Sequence, residues 1–261
     1  MHPNELERYN REGYVILKKD IVLPILHRIG LDIDNVFGHQ LDRYKLDNIF
    51  DLFESNPAAV IGSGKAIQNL PSVYGLMTNY GIMHNIYSLI AEPVIATKPV
   101  VFFHHSRLAK EEIYWKTPAH QDQASISKSA NTVIAWIPLV DCTYDGIGPI
   151  EVIPGSHLKG AQWDRYESSF GLVDAEEGFI KLYASPGDVI LFNSCLVHRS
   201  GTNTSDDIRY SISYRYADLA NETWIGRDYY DPYQYKSVVE NEYRPSPEEM
   251  QELFILGRAN D

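Results

Sequence analysis

The sequence predicts a mainly β fold, a sandwich, jelly roll or barrel, with helices from the first third of the chain packed on one side. These helices are indicated by apolar residues at helical spacing, which lie at Ile25, Leu26, Ile29, Ile33 and Phe37 and again at Ile82, Ile86, Leu89 and Ile90. After about residue 97 the pattern changes to short β-rich runs separated by turn residues. Regular short strands of this kind are typical of all-β architectures.

Eight segments have the composition and alternation of strands. They are 13–19, 99–107, 131–140, 150–153, 179–183, 188–192, 196–198 and 208–216. The last has the clearest period of two, because isoleucine and tyrosine side chains alternate with Arg209, Ser211, Ser213 and Arg215. One face of this strand is therefore apolar. In a small barrel the polar face points either to solvent or into an interior that holds a ligand.

Composition excludes several classes of protein. With 261 residues, 44% of them hydrophobic and 22% charged, the chain has the make-up of an ordinary globular protein. No apolar run approaches the ~20 residues of a membrane span, and the first residues lack the apolar region of a secretory signal. Two cysteines, Cys142 and Cys195, are too few for a disulfide framework. We therefore expect a cytoplasmic protein with no membrane partner.

The net charge of −12 argues against nucleic-acid binding, which depends on lysine and arginine at phosphates. There is no internal repeat, low-complexity tract or linker in the sequence, so we predict a single domain over residues 1–261. It comprises a mostly helical flank at 1–97, a β core at 98–217 and an acidic C-terminal extension at 218–261. The extension is expected to act as a lid or as a subunit contact in an oligomer, and the sequence leaves both open.

One segment carries metal-ligand chemistry. His120 and Asp122 are two apart, and residues i and i+2 of an extended chain project from the same face, so both side chains can reach one ion. Two histidines and one carboxylate are the ligand set of non-haem Fe(II) oxygenases. His198 is the best third ligand, because it ends a predicted strand just before the polar one. The adjacent His104 and His105 face opposite ways on a strand, so at most one of them lies at a site.

Arg209 is a second, independent signal. It lies 11 residues after His198, across a turn region, on what the pattern predicts to be the neighbouring strand. A buried guanidinium needs an anionic partner and binds a carboxylate with two parallel hydrogen bonds. If the open positions of the metal take a 2-oxo acid, its distal carboxylate requires such an arginine. The coincidence of Arg209 with the H-x-D segment and a following histidine therefore favours a 2-oxo acid site.

These residues lie in a longer pattern that resembles the phytanoyl-CoA dioxygenase family of Fe(II)/2-oxoglutarate oxygenases. The matching pieces are GYVILKK (13–19), HQD (120–122), AWIPLVD (135–141), GPIEVIPGSH (148–157), PGDVILFNSCLVHRSG (186–201) and IRYSISYRY (208–216). Together they span most of residues 5–217. The resemblance implies that the β core is a double-stranded β-helix, a cupin-like jelly-roll barrel, flanked by the N-terminal helices.

The resemblance also implies roles for individual residues. His120, Asp122 and His198 would hold Fe(II), and Arg209 would pair with the C5 carboxylate of 2-oxoglutarate. In halogenating relatives a small residue replaces the carboxylate and leaves a position for halide. Because Asp122 is present here, the implied activity is that of a dioxygenase that uses O2 for hydroxylation, or a related oxidation such as desaturation, and releases succinate and CO2.

Three further residues are candidates for contact with 2-oxoglutarate. Trp136 and Ser200 match family positions that help to hold this co-substrate. Ser211 is a physical candidate, because it shares a strand face with Arg209. The expected substrate is a small molecule, a polar or cationic metabolite or a natural-product intermediate, since the acidic balance weighs against a polyanionic CoA ester.

Two alternatives remain at this point. One is a cupin-like barrel that binds a metal or a sugar without turnover, and the other is a Zn(II) hydrolase that uses the same His/Asp/His set. Neither gives Arg209 a role, and binding of 2-oxoglutarate distinguishes them from an oxygenase. Several aromatic residues are expected either to line a pocket or to pack in the core, namely Tyr114, Trp115, Trp224, Tyr229 and Tyr230.

Overall fold

The N-terminal third of the chain is helical apart from short strands. The structure is a computed structural model that describes residues 1–18, 22–41, 49–105, 117–124, 129, 131–160, 162 and 171–221. Its helices are α1 (Pro3–Glu12), α2 (Leu23–Leu41), α3 (Ile49–Ser55), α4 (Pro57–Gln68), α5 (Pro71–Met77) and α6 (Tyr80–Ile86). Pro3 and Pro71 lie in the first turns of their helices, where the missing N–H leaves no hydrogen bond unmade.

Strands in the described residues form two antiparallel sheets. They are β1 (Tyr14–Leu17), β2 (Pro93–Ile95), β3 (Val100–His104), β4 (Thr132–Pro138), β5 (Ile150–Val152), β6 (Ile180–Leu182), β7 (Val189–Asn193), β8 (His198–Ser200) and β9 (Arg209–Asp218). The large sheet has the order β1-β7-β4-β9-β2, with β3 also paired to β9, and the small sheet has the order β6-β5-β8. Strands β1 and β2 come from the predicted helical flank, so that flank also supplies part of the large sheet.

The two sheets pack face to face around an apolar cluster. From the large sheet it takes Tyr14, Ile134, Trp136, Ile190 and Phe192, and from the small sheet Ile150, Val152 and Leu182. Burial of such side chains contributes roughly 1.5–3 kcal/mol each, so this cluster holds the sheets together. The arrangement of two antiparallel sheets with a shared interior confirms the predicted jelly roll.

The helices cover the outer face of the large sheet. Apolar side chains of α2, α4, α5 and α6 join outward-facing residues of β4, β7 and β9 in one core cluster. Two buried tyrosines of β9 fix α5 to this face, since the Tyr214 hydroxyl donates to the Val73 carbonyl at 2.7 Å and the Tyr216 hydroxyl to the Met77 carbonyl at 2.6 Å. Each buried hydroxyl is thus satisfied by a backbone acceptor.

The opposite face of β9 points into the interior of the barrel. Arg209, Ser211, Ser213 and Arg215 are 1%, 0%, 2% and 3% exposed, respectively. The sequence left open whether this polar row faces solvent or a ligand-bearing interior. In the structure the polar row faces the interior. Charged groups buried there need hydrogen-bond or ionic partners.

Each of the eight predicted strand segments overlaps an observed strand, but three details differ. The prediction missed β2, which has only three residues, begins with a proline and pairs with β9 alone. The strand predicted at 196–198 begins at His198, because residues 193–196 form a turn closed by the hydrogen bond from Leu196 N to Asn193 O. The apolar pattern from Ile82 to Ile90 extends beyond α6, whose last residue is Ile86.

Some predicted features lie outside the described residues. They are the C-terminal extension beyond residue 221 and the aromatic residues Tyr114, Trp115, Trp224, Tyr229 and Tyr230. For the parts of the chain that the structure does describe, none of the helices combines the length and the apolar character needed to cross a bilayer.

Gly148 lies where two backbone segments pack closely beside Arg209. Its φ is +69°, and a Cβ at this position would lie 2.7 Å from the Asn203 nitrogen and from the Gly201 carbonyl oxygen. The backbone around residue 148 therefore packs directly on the segment that follows β8. The Gly148 carbonyl also accepts a hydrogen bond from the Arg209 guanidinium, so this close approach fixes an acceptor for a buried cation.

We expect Gly148→Ala to lower the free energy of unfolding by about 2 kcal/mol, because the new methyl group meets backbone atoms and the left-handed conformation disfavours alanine. Urea denaturation measures this change. Gly30→Ala is the control, since Gly30 lies in α2 with no atom near the added Cβ. It should leave stability unchanged or raise it by about 0.5–1 kcal/mol. Equal stability of Gly148→Ala and wild type would contradict the close-packing argument.

Candidate metal centre and co-substrate pocket

His120 and His198 face each other across an antiparallel bridge. The two residues exchange both backbone hydrogen bonds, with N···O distances of 3.0 and 3.1 Å. Directly opposed residues of antiparallel strands project from the same face, so both imidazoles point into the barrel. Their ring centroids are 4.1 Å apart. The backbone pairing of β8 with the segment before Asp122 thus brings the two predicted histidine ligands together.

Both imidazoles are oriented by the carbonyl two residues earlier in the chain. His120 Nδ1 lies 2.8 Å from the Pro118 oxygen, and His198 Nδ1 lies 2.9 Å from the Leu196 oxygen. A carbonyl oxygen only accepts, so Nδ1 carries the proton in each neutral ring. Each Nε2 therefore keeps its lone pair for a metal ion. This use of the second ring nitrogen is typical of metal-binding histidines.

Asp122 completes the group of three. One carboxylate oxygen, Oδ1, lies 3.4 Å from His120 Nε2. Potential ligand atoms of His120, Asp122 and His198 all lie within 4.8 Å of one another, and all three residues are at least nine-tenths buried. Asp122 begins a 3₁₀ turn (Asp122–Ala124) instead of continuing the extended segment that the sequence predicted. The turn is tied down by the hydrogen bond from Gln123 N to Ser194 O, at 3.0 Å.

The electrostatics of the group suit a metal cation. Burial alone would raise the pKa of the Asp122 carboxyl, but the charge of Arg215 and the neighbouring His120 and His198 hold it well below its usual range. Burial, together with His120, lowers the pKa of His198 to about 3. Near neutral pH the site therefore offers an ionised carboxylate and a neutral His198, the forms that bind a metal.

Gln121, between the two predicted ligands, anchors the segment on its other side. Its side chain is fully buried, and Nε2 donates to the Gly160 carbonyl at 2.9 Å and to the Cys195 carbonyl at 2.5 Å. Oε1 accepts from the Gln162 backbone N–H at 2.7 Å. These three hydrogen bonds fix the backbone from which His120 and Asp122 project. Sequence analysis treated Gln121 as a spacer and missed this role.

Arg209 is a buried cation that lacks an acidic partner within the described residues. Its guanidinium contacts the Gly148 carbonyl and His104 Nδ1, whereas Nε has no hydrogen-bond partner. No ion pair joins it to a carboxylate in the part of the chain that the structure describes. Burial lowers its pKa to about 10, which leaves the group charged at neutral pH. Burying a cation of this kind is costly unless hydrogen-bond acceptors or a negative charge compensate for the lost water.

The other predicted co-substrate residues lie near Arg209 or on the same strand face. The Trp136 ring centroid is 5.9 Å from the Arg209 guanidinium carbon. Ser200 is buried, and its Oγ lies 3.3 Å from His104 Nε2. Ser211 has no exposed surface, and its Oγ has no hydrogen-bond partner. The Ser211 hydroxyl on β9 is thus unpartnered, whereas the Ser200 hydroxyl on β8 contacts His104 and accepts from Thr117 N at 3.4 Å.

Sequence analysis missed the roles of two interior residues, His104 and Arg215. His104 lies opposite Arg209 in the register of β3 and β9 and joins the Arg209 guanidinium to Ser200. The ring of the adjacent His105 packs instead against Phe50 in a tilted arrangement, at 4.3 Å between ring centroids. Arg215 contacts Asp122. The alternation of β9 had already placed Arg215 on the polar face, so its interior position was available from the sequence once that face was known to be buried.

The donor set fits iron. Two imidazole nitrogens and one carboxylate oxygen are the ligands that non-haem Fe(II) sites use, whereas a structural zinc site is usually closed by four ligands, often thiolates. The described residues supply three ligand atoms at this position, and neither buried cysteine belongs to the group. The unpartnered Arg209 Nε adds a nearby position for a carboxylate.

Comparison with known proteins gives the family. The model of the phytanoyl-CoA dioxygenase family matches residues 58–211, which is more than half of the chain. The chain belongs to the phytanoyl-CoA dioxygenase family. The matched region contains His120, Asp122, His198 and Arg209, and it ends before Arg215.

Curated relatives of this family member are named as a hydroxylase and a dioxygenase. The 1-deoxypentalenic acid 11-beta-hydroxylase of Streptomyces exfoliatus is 31% identical over 130 residues, which cover 45% of this chain and 46% of the relative. Dioxygenase lolE1 of Epichloe uncinata is 32% identical over 111 residues, or 40% and 43% of the two chains. The matched parts thus span a little under half the length of these curated relatives.

A solved structure supports the jelly-roll fold of this family member. The epimerase SnoN, determined in complex with Fe3+, alpha ketoglutarate and nogalamycin RO, superposes with a TM-score of 0.61 at 20% identity. The superposition covers 82% of each chain. At this level of identity the likeness establishes the common fold.

His104 is expected to make the metal-free protein less stable in acid. Burial and the Arg209 charge hold the pKa of His104 well below its ordinary value in the folded state, whereas the unfolded chain takes up a proton below about pH 6.5. Its contribution to stability is therefore complete above that pH and is lost as the pH falls. Between pH 8 and pH 5, wild type should lose on the order of 1–2 kcal/mol more unfolding free energy than His104→Gln, measured by urea denaturation.

His84→Gln is the control for this experiment, because His84 is exposed on α6. This variant should keep the pH dependence of wild type. If His104→Gln also kept it, His104 would not be buried in its neutral form.

Proposed function

We propose that this protein is an Fe(II)- and 2-oxoglutarate-dependent dioxygenase that hydroxylates a small-molecule substrate, with residues 1–261 forming one oxygenase domain. The observation that carries the proposal is the buried Arg209, which has no acidic partner in the described part of the chain and shares an interior with the His120, Asp122 and His198 group. 2-Oxoglutarate has one end that chelates a metal and a distal carboxylate for an arginine. Family membership and the relatives named as a hydroxylase and a dioxygenase support this activity.

In this proposal the protein holds Fe(II) through three atoms. They would be Nε2 of His120, Nε2 of His198 and one carboxylate oxygen of Asp122, the donor set of non-haem Fe(II) sites that also bind a co-substrate. When bound, Fe(II) and 2-oxoglutarate supply the oxidising power, by which O2 is consumed, 2-oxoglutarate becomes succinate and CO2, and a substrate C–H bond becomes C–OH. Because the Asp122 carboxylate occupies a ligand position, hydroxylation is favoured over halogenation.

Arg209 is proposed to bind the distal carboxylate of 2-oxoglutarate. Its guanidinium contacts two neutral acceptors, Gly148 O and His104 Nδ1, and its Nε has none. A carboxylate is a stronger acceptor than either, because both partners of the new hydrogen bonds are charged. Trp136 limits the pocket on one side, and the hydroxyls of Ser200 and Ser211 are proposed as further donors. Fixing the co-substrate at its far end orients the end that reacts.

Neither of the two alternative activities gives the buried Arg209 side chain a role. A barrel that binds a sugar or metal without turnover, and a Zn(II) hydrolase with the same three ligands, both leave a buried guanidinium without function. Burying a charge without a partner is costly, and an enzyme retains it where a ligand supplies the counter-charge. Binding of 2-oxoglutarate is therefore the measurement that separates the oxygenase from both alternatives.

We expect wild-type protein titrated anaerobically with Fe(II) and 2-oxoglutarate to develop the visible charge-transfer band of the chelated co-substrate. Arg209→Met should require about 10–100 times more 2-oxoglutarate for the same band, because charged hydrogen bonds to the distal carboxylate are lost. The band intensity against 2-oxoglutarate concentration gives the dissociation constant.

Arg199→Met is the matched control, since Arg199 lies in β8 of the small sheet and pairs with Glu151 of β5 at 2.6 Å. It should bind 2-oxoglutarate as wild type does. A folded, metal-loaded wild type without the band would favour the barrel without turnover or the Zn(II) hydrolase. Unchanged affinity in Arg209→Met would remove Arg209 as the co-substrate ligand.

The proposed substrate is a natural-product intermediate or a small polar or cationic metabolite. The first class is supported by the name of the Streptomyces exfoliatus relative, and the second rests on the net charge of −12. A panel that contains 1-deoxypentalenic acid and small amines, assayed for substrate-dependent succinate release, separates the two classes. The product mass identifies the reaction, because hydroxylation adds one oxygen atom, desaturation removes two hydrogens and epimerisation leaves the mass unchanged.

The C-terminal extension, residues 218–261, is proposed as a lid over the substrate or as a subunit contact. Truncation after residue 221 tests both roles. A lid predicts increased succinate release without substrate and a broader substrate range, whereas a subunit contact predicts a smaller particle in size-exclusion chromatography. Unchanged coupling, range and oligomeric state would contradict both roles.

A further inference from the structure

A second buried arginine contacts the candidate metal ligand Asp122. Arg215 Nη2 lies 3.2 Å from Asp122 Oδ2, and the two side chains are 4% and 5% exposed. The other carboxylate oxygen, Oδ1, lies 3.4 Å from His120 Nε2. The two oxygens of Asp122 therefore have different partners. One faces the guanidinium, and the other faces the imidazoles of the metal-binding group.

Arg215 occupies a rigid position in the barrel. It lies within β9 and is opposite Ile134 in the register with β4. At the other edge of β9, the Arg215 carbonyl accepts a hydrogen bond from the Ala96 N–H at 2.9 Å. Nη1 lies 3.4 Å from the Ser213 carbonyl, which directs the guanidinium along its own strand. Asp122, in contrast, begins a short turn. The contact thus joins a turn residue to a strand held by neighbours on both sides.

We propose that Arg215 is a positioning residue that restricts Asp122 to a single metal-binding oxygen. This inference rests on the proposed function and deepens it. Arg215 lies outside the region matched by the family model, which ends at residue 211. A carboxylate binds an ion through one or both oxygens, and a charged hydrogen bond to Oδ2 withdraws that oxygen from the ion.

The number of oxygens that Asp122 donates decides whether the site has room for both co-substrates. Three protein atoms leave three positions on an octahedral ion, of which 2-oxoglutarate needs two and O2 needs one. If both Asp122 oxygens bound, two positions would remain and 2-oxoglutarate would fill them. By holding Oδ2 away from the ion, Arg215 would therefore leave one position open.

Nitric oxide tests this position, because it binds Fe(II) where O2 would bind and gives a characteristic electron paramagnetic resonance signal. The protein is loaded with Fe(II) and 2-oxoglutarate under anaerobic conditions and then titrated with nitric oxide. We expect Arg215→Met to keep the charge-transfer band of bound 2-oxoglutarate but to bind nitric oxide at least 10-fold more weakly than wild type. Arg215→Lys keeps a charged donor near Oδ2 and should restore binding.

If Arg215→Met fails to fold, Arg215→Gln replaces it in the experiment. The shorter glutamine side chain removes the charged contact with Asp122 Oδ2 but keeps a polar group in the interior. This variant should show the same loss as Arg215→Met. Arg199→Met, which removes an arginine–glutamate pair between β8 and β5 of the small sheet, should bind nitric oxide as wild type does.

The outcomes separate this inference from the proposed function. Wild-type binding of nitric oxide by folded Arg215→Met or Arg215→Gln would overturn the role of Arg215 while leaving the oxygenase proposal intact. A wild type that forms no charge-transfer band with Fe(II) and 2-oxoglutarate would overturn the proposed function itself.

Discussion

The alternation of one strand, β9, determines the character of the whole interior. Its isoleucines and tyrosines face the helices, where Tyr214 and Tyr216 bond to carbonyls of α5. Because side chains alternate strictly along a strand, this packing forces Arg209 and Arg215 inward. A shift of register by one residue would turn the apolar row into the barrel and place both arginines against the helices. By packing on the apolar row, the helical layer therefore helps to fix both arginines on the opposite face of the strand.

The candidate metal group is built mainly by the backbone. His120 and His198 are brought together by a two-residue bridge, and their ring orientations follow from carbonyl groups two residues earlier in the chain. Gln121 anchors the segment between the predicted ligands to two other loops. Ligands held in this way lose little conformational freedom when an ion binds, which is the advantage of a preorganised site.

Much of this site was predictable from the sequence, because its signals are local or depend on spacing. The H-x-D segment, the later His198 and the interval to Arg209 each follow from residue type and separation, and the structure brings these residues into one interior. His104 was not predictable in the same way, since its role depends on the register of β3 against β9. The turn at Asp122 and the short edge strand β2 were also missed, because their conformations depend on contacts with distant residues.

The barrel interior contains buried charges whose removal from water costs free energy of folding. Among the described interior residues, Asp122 balances Arg215, whereas Arg209 has no carboxylate beside it. The desolvation of Arg209 therefore reduces the stability of the ligand-free protein. A ligand that supplies a carboxylate to Arg209 binds the folded state and not the unfolded chain, so part of its binding energy appears as stability. In the proposed function, the same buried charge that costs stability would favour binding of an anion whose other end reaches the candidate metal group.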